Sequence, residues 1–203
     1  DESNNQIIID NQNLTISDPI SVDNANLLGA TTSGVVTATI DSSESISELT
    51  TLSSDIGTNN FTIVIGEANA TSSTAAQLNT LSSAVPTVVV NLTNVTALAG
   101  SSLSDLGTLA SAITANEFSN ASGLTTIALT DTTIDATTLA QTIDKYDVIG
   151  GTTDMTLVSG ASINVDAGEI TEMLADESLG RLTIVDQVIS VTGATTVDNA
   201  NLL

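Results

Sequence analysis

Cysteine, histidine and tryptophan are absent from the 203 residues, and only 2 residues carry positive charge, Lys145 and Arg181. These absences remove whole classes of chemistry together. Without cysteine there are no disulfides, thiol nucleophiles, CxxC redox pairs or zinc fingers, and without histidine there are no imidazole triads. Aromatics amount to 1% (Phe61, Phe118 and Tyr146), so a folded core has to be filled by Leu, Ile, Val and Ala. The 2 cations face 24 Asp and Glu, which leaves a formal net charge of −22 and a pI near 4.1. Phosphate backbones and anionic bilayer surfaces repel such a polyanion, which argues against nucleic-acid and membrane-surface partners. No apolar run approaches the roughly 18 residues of a membrane span, so no transmembrane segment is expected. There is no signal-peptide core, and a chain that opens on Asp1 reads as a processed form or an excised piece.

Hydrophobic residues still reach 41% and mean hydropathy is +0.30, so the chain is not a disordered acidic tail. Ser and Thr make up more than a quarter of it. The length allows one or two domains. This composition fits a repetitive, secreted, structural protein, and no reaction is expected of it.

Internal repeats carry the fold expectation. Ser21-Val22-Asp23-Asn24-Ala25-Asn26-Leu27-Leu28 returns as Thr196-Val197-Asp198-Asn199-Ala200-Asn201-Leu202-Leu203, and Leu14-Thr15-Ile16 returns as Leu182-Thr183-Ile184. Between the copies, strand-like starts fall at Leu14, Val35, Phe61, Val88, Leu124, Met155 and Leu182. Each opens a short β-branched or aliphatic run suited to a strand.

Helix starts follow the strands. Val22-Asp23, Ile134-Asp135, Val165-Asp166 and Val197-Asp198 each have another apolar residue four positions after the Asp. That is the spacing of a hydrophobic staple around an N-cap, so Asp23, Asp135, Asp166 and Asp198 are expected to be structural helix caps. Asp166 with Glu169, Ser45 with Glu48 and Thr74 with Gln77 have capping-box spacing. Helices are expected over Glu48–Asp55, Ala75–Ala84, Leu103–Ile113, Thr137–Asp147 and Gly168–Asp176, with return turns at Gly57-Thr58-Asn59-Asn60, Gly150-Gly151 and Gly180.

Strand, turn, short helix and return make one coil. The expected fold is therefore α/β, a right-handed solenoid of about seven such coils with parallel strands, since a single coil cannot bury its own apolar face. The solenoid would cover 14–203, with coil starts near 14, 35, 61, 88, 124, 155 and 182, after a strand-like N-terminal segment over 1–13. The stretch from Thr114 to Gly123 breaks the period and reads as an insertion in which Phe118 covers apolar surface.

Segments such as Ala30-Thr31-Thr32-Ser33-Gly34-Val35-Val36-Thr37-Ala38, Thr74-Ala75-Ala76-Gln77-Leu78-Asn79-Thr80-Leu81 and Leu129-Thr130-Asp131-Thr132-Thr133-Ile134-Asp135-Ala136 resemble repeats of very large secreted surface proteins of cyanobacteria and other marine bacteria. The resemblance is one of composition and rhythm and covers most of Leu14–Leu203. It implies an extracellular or cell-surface structural role, as in a surface layer or an adhesin. The calcium-binding nonapeptide GGxGxDxUx that such proteins often carry is absent here.

Chemistry-bearing motifs are scarce. The paired carboxylates Asp144/Asp147, Glu169/Glu172 and Asp176/Glu177 carry no mark of the desolvation that acid–base work requires. GxGxxG and P-loop patterns are missing, and Asp41 and Asp131 fail the EF-hand spacing. No catalytic residue, cofactor or metal-ligand set is named by the sequence; weak binding of calcium by surface carboxylates is the extent of the expectation. The sequons at Asn13, Asn60, Asn69, Asn91, Asn94 and Asn120 are ones that composition alone would produce. Thr15, Thr62, Thr125, Thr156 and Thr183 occupy the second strand position, where alternation points them outward, so stacked coils would align them in a ladder.

Two functions follow as expectations. The first is a non-enzymatic extracellular structural repeat protein of a filament, surface layer or adhesin stalk, secreted or at the cell surface. Its partners would be other copies of itself or flanking repeats, stacked end to end. The alternative is a binding module for calcium, glycan or ice on the Thr-rich sheet face. Residue 203 falls inside a coil, and Gln6-Ile7-Ile8-Ile9 and Asn201-Leu202-Leu203 are not polar caps, so the chain reads as one period of about 175 residues, from Val22 to Val197, in a longer array.

Overall fold

Apolar residues alternating with Ser, Thr and Asn favour short extended runs with one buried face, and the capped Leu/Ile/Ala stretches between them favour helices. The computed structural model describes residues 9–53, 59–150, 153–194 and 196–201. In chain order its elements begin with β1 (Leu14–Thr15), α1 (Val22–Thr31), β2 (Val36–Thr39), α2 (Ile46–Leu49), β3 (Asn60–Val64), α3 (Ala75–Ala84), β4 (Val90–Asn91) and β5 (Ala97–Ser101). The middle of the chain holds α4 (Leu103–Thr114), β6 (Phe118–Ser119), β7 (Thr126–Leu129), β8 (Thr133–Asp135) and α5 (Ala136–Ile149). It closes with β9 (Asp154–Thr156), β10 (Ser162–Asp166), α6 (Ile170–Ser178), β11 (Leu182–Thr183), β12 (Val188–Thr192) and α7 (Val197–Ala200).

The protein is mixed α/β, and the strands among the described residues form three sheets, β1-β2-β3-β4-β6, β5-β7-β9-β11 and β8-β10-β12. All the strand pairings among the described residues are parallel. Apolar residues lie on apolar residues. Leu14 pairs with Val36, Ala38 with Phe61, and Ile63 with Val90, which also pairs with Phe118. Met155 lies between Ile127 and Leu182, and Ile163 between Ile134 and Ile189. Paired residues are one strand–helix unit apart, 22 residues for Leu14 and Val36 and 29 for Leu98 and Ile127. From α2 to α6 each helix packs on the next. The shared interior is a single cluster of Leu, Ile, Val and Ala joined by Phe61, Phe118, Tyr146, Met155 and Met173. Tyr146 is buried, and its hydroxyl donates to the Leu106 carbonyl at 3.2 Å, which satisfies its one polar atom.

Neighbouring units approach closely enough to require glycine. A Cβ on Gly34 would overlap the backbone of Gln12, and one on Gly66 would overlap the Ser42 carbonyl. Both glycines have open space only because they lack a side chain.

Several expectations change. The strand starts near 14, 35, 61 and 88 do belong to one sheet, but those near 124, 155 and 182 belong to a second. The third sheet has no counterpart among the expected starts. The segment from Thr114 to Gly123 is not an insertion: it holds β6, the fifth strand of the first sheet, and Phe118 is buried in the common core. The helix over Ala75–Ala84 has the expected bounds, whereas the expected Glu48–Asp55 helix is the single turn Ile46–Leu49 within the described part. Its last residues, with Gly57-Thr58, Gly151, most of 1–13 and Leu202-Leu203, lie outside the described residues.

Candidate functional site

Helix caps come first, because they decide what the acidic residues do. Asp135 caps α5: one carboxylate oxygen accepts the Thr138 N–H at 2.9 Å and the Thr138 hydroxyl at 2.8 Å. The N–H contact, with the hydroxyl second, holds the Asp135 carboxyl below its usual range. The expected capping boxes at Ser45/Glu48 and Thr74/Gln77 are both formed, and the Ser45 N–H likewise lowers Glu48.

The other three assigned caps need correction. In the first octapeptide Ser21 is the cap, its hydroxyl accepting the Asn24 N–H at 3.2 Å, and Asp23 sits inside the first turn. Asp198 is likewise the second residue of α7. In the first copy the Ser that precedes the apolar residue takes the cap and moves the helix start two residues earlier than an Asp23 cap would. Asp166 ends β10 and accepts the Gly168 N–H at 3.1 Å; a turn intervenes, and α6 starts only at Ile170, behind Glu169. Ser102, which caps α4 through the Asp105 N–H at 3.1 Å, is a cap that the Asp pattern missed.

The five threonines do not make one ladder. Thr15 pairs with Thr37, and Thr62 with Thr39, on the first sheet. Thr156 pairs with Thr183 on the second sheet, and on its other side with Ala128. Thr125 precedes β7, and its hydroxyl donates to the Thr96 carbonyl at 3.2 Å. Thr15, Thr62, Thr125 and Thr156 are exposed as alternation requires; Thr183 is half-buried and donates to Asp154 at 3.0 Å. The positions are right for outward residues, but they fall on separate sheets.

The carboxylate pairs are dispersed. Asp147 receives Arg181 at 2.6 Å, while the other guanidinium nitrogen lies 3.5 Å from Asp176. Burial raises the Asp176 carboxyl above its usual range, and Arg181 opposes that shift. Glu169 accepts from the Thr137 hydroxyl and lines, with Asp144 and Glu172, an open groove between α5 and α6. No group of three or more acidic residues could hold a metal ion among the described residues. No helix among them is long and apolar enough to cross a membrane.

The two ends of the layered core differ from its middle. Val36 is fully buried, while its β1 partner Leu14 is only partly so; Ile163 is fully buried, while its β12 partner Ile189 is half-buried. Ile16, Ile20 and Leu28 at one end, and Ile184 and Val191 at the other, are also only partly covered. Val185, Val188 and Val197 are exposed. Between units, side chains bond backbone one unit away: Asn26 donates to the Thr51 carbonyl at 3.0 Å and accepts the Ser53 N–H at 2.8 Å, and Glu44 accepts the Val22 N–H at 3.2 Å. These end layers are the candidate functional surfaces. No protein-family model matches the chain, and neither a curated protein nor a solved structure matches it.

Proposed function

We propose that this chain is a non-enzymatic extracellular structural repeat protein. In this reading its strand–helix units form a right-handed solenoid of about seven coils, and the coils stack end to end in a filament, surface layer or adhesin stalk. The observation that carries the reading is the half-covered apolar layer at each end of a core whose middle layers are buried. Parallel edges that match a following parallel strand support the same reading, because a heterologous contact of that kind does not close and so grows linearly. The polyanionic surface and the resemblance to secreted surface-protein repeats favour an exterior, saline setting. Sedimentation and electron microscopy of the chain in seawater-like salt test the proposal. Linear assemblies are expected; a strictly monomeric species at every protein and salt concentration overturns it.

A further inference from the structure

The octapeptide occurs twice in different surroundings, and the difference identifies a docking surface. In the first copy Val22 is 2% exposed; in the second, its counterpart Val197 is 77% exposed. Ala25 is buried, whereas Ala200 is exposed. The chain itself shows what covers the first copy: the next strand–helix unit, β2 with α2. That unit supplies Glu44 to the Val22 N–H and backbone partners to both ends of the Asn26 amide. Asn201 is the counterpart of Asn26 and is exposed.

We infer that the α7 end, with the outer edges of β11 and β12, docks the β1–α1 end of a second copy in parallel register. This rests on the end-to-end reading above and names its contact. The incoming unit has the form of the one that covers the first copy, a short strand followed by a Ser-capped helix: Ser21 caps α1 as Ser45 caps α2. Both edges carry Leu-Thr-Ile, at 14–16 and 182–184. Within the chain such dipeptides stack apolar on apolar and Thr on Thr, as Leu14-Thr15 does on Val36-Thr37 and Met155-Thr156 on Leu182-Thr183. The register therefore sets Thr15 of one copy beside Thr183 of the next and brings α1 over Val197. A twofold head-to-head contact would make antiparallel strand pairs, which the described sheets nowhere use.

The absence of cysteine makes the test clean. Thr15→Cys and Thr183→Cys chains are prepared separately, then mixed and oxidised at about 0.5 M salt, where like-charge repulsion is screened. A disulfide-linked dimer is expected from the mixture and not from either chain alone; the Cα spacing of paired strands lies within disulfide reach. Val197→Asp is expected to weaken assembly by about tenfold or more, and Val148→Asp, at an exposed site on the side of α5, to leave it unchanged. Assembly without the mixed cross-link, cross-linking of Thr15→Cys to itself, or sensitivity at Val148 and not at Val197 overturns this contact while leaving end-to-end or lateral assembly standing. Absence of any assembly overturns both readings.

Discussion

Replacing Asp135 by alanine removes an acceptor that serves two donors, the Thr138 N–H and hydroxyl, at the start of a 14-residue helix. The expected cost is about 1 kcal/mol. For a chain of this size that lowers the melting temperature by about 2–4 °C. Asp23→Ala is the informative contrast, because the same local motif surrounds it. There Ser21 holds the cap and Asp23 contributes only its charge near the helix end, a few tenths of a kcal/mol once salt screens it. Ser21→Ala, not Asp23→Ala, should match Asp135→Ala. Acid adds a second check. The folded Asp135 carboxyl lies below its usual value of 3.8, so its stabilisation is complete above that value and fades as pH falls through the lower folded one. The difference between parent and Asp135→Ala should stay constant from about pH 8 to about pH 5 and narrow in stronger acid. Asp135→Asn keeps an acceptor oxygen and should retain most of the stability without that pH dependence. Thermal melts of the four variants across pH decide the matter. Equal losses for Asp23→Ala and Asp135→Ala, or an Asp135 effect indifferent to acid, would refute the assignment.

Gly66→Ala should destabilise by about 1–3 kcal/mol or prevent folding, since its Cβ would overlap the Ser42 carbonyl; Gly107→Ala, with open space around it, is the control in the same denaturation series. Arg181→Gln leaves Asp147 and the buried Asp176 without their cation. Because burial already raises Asp176, its protonated form favours the fold, so this variant's deficit should be largest near neutral pH and shrink as pH falls through the folded value; a deficit that grows in acid would contradict the pairing. With a net charge of −22, the parent's melting temperature should climb between low salt and seawater-like conditions, and further with divalent cations, and scanning calorimetry showing no response would remove self-repulsion as a main opposing force.

Legibility followed the range of the interaction. Two of the three expected capping boxes, Ser45/Glu48 and Thr74/Gln77, and the full extent of α3 could be read because their determinants lie within a few residues of one another. Four starts of the first sheet were legible from β-branched runs. β5 was not, because Ala97-Leu98-Ala99-Gly100-Ser101 has weak strand preference and is held by pairing to β7, 29 residues away for Leu98. β10 alternates cleanly, with Ile163 and Val165 buried and Asn164 and Asp166 exposed, yet Val165-Asp166 also fits a staple. The intervening turn, invisible in spacing alone, separates the two meanings. Outward threonines were predictable residue by residue, but whether they share a ladder depends on which sheet receives each strand, and no local pattern encodes that.

With only 2 cations, ion pairs can join few units, as Arg181 joins Asp147 of α5, and neutral side chains take most of that part. Asn13 accepts the Val35 N–H and Asn59 the Val36 N–H, each at 2.9 Å. Asn69 donates to the Glu44 carbonyl at 3.1 Å, Asn94 to the Ile65 carbonyl at 2.9 Å, and Gln187 to the Val158 carbonyl at 3.2 Å. Every one of these bonds spans a single strand–helix unit. A neutral bond of this kind contributes about 0.5–1.5 kcal/mol and requires no counter-charge. Unlike a surface ion pair it keeps its strength as salt rises. The same bonds give the sequon asparagines Asn13, Asn69 and Asn94 a structural use, and a glycan on the Nδ2 of Asn69 or Asn94 would compete with the bond that nitrogen donates. Fastening by amides also leaves the acidic surface to set the range of conditions for the proposed association. In the proposed assembly, low salt would keep copies apart through repulsion, and higher salt would screen that repulsion and let the end layers meet. The composition suits the proposed assembly: bonds that ignore salt fasten the units within each chain, and a charge that salt screens would control when chains meet.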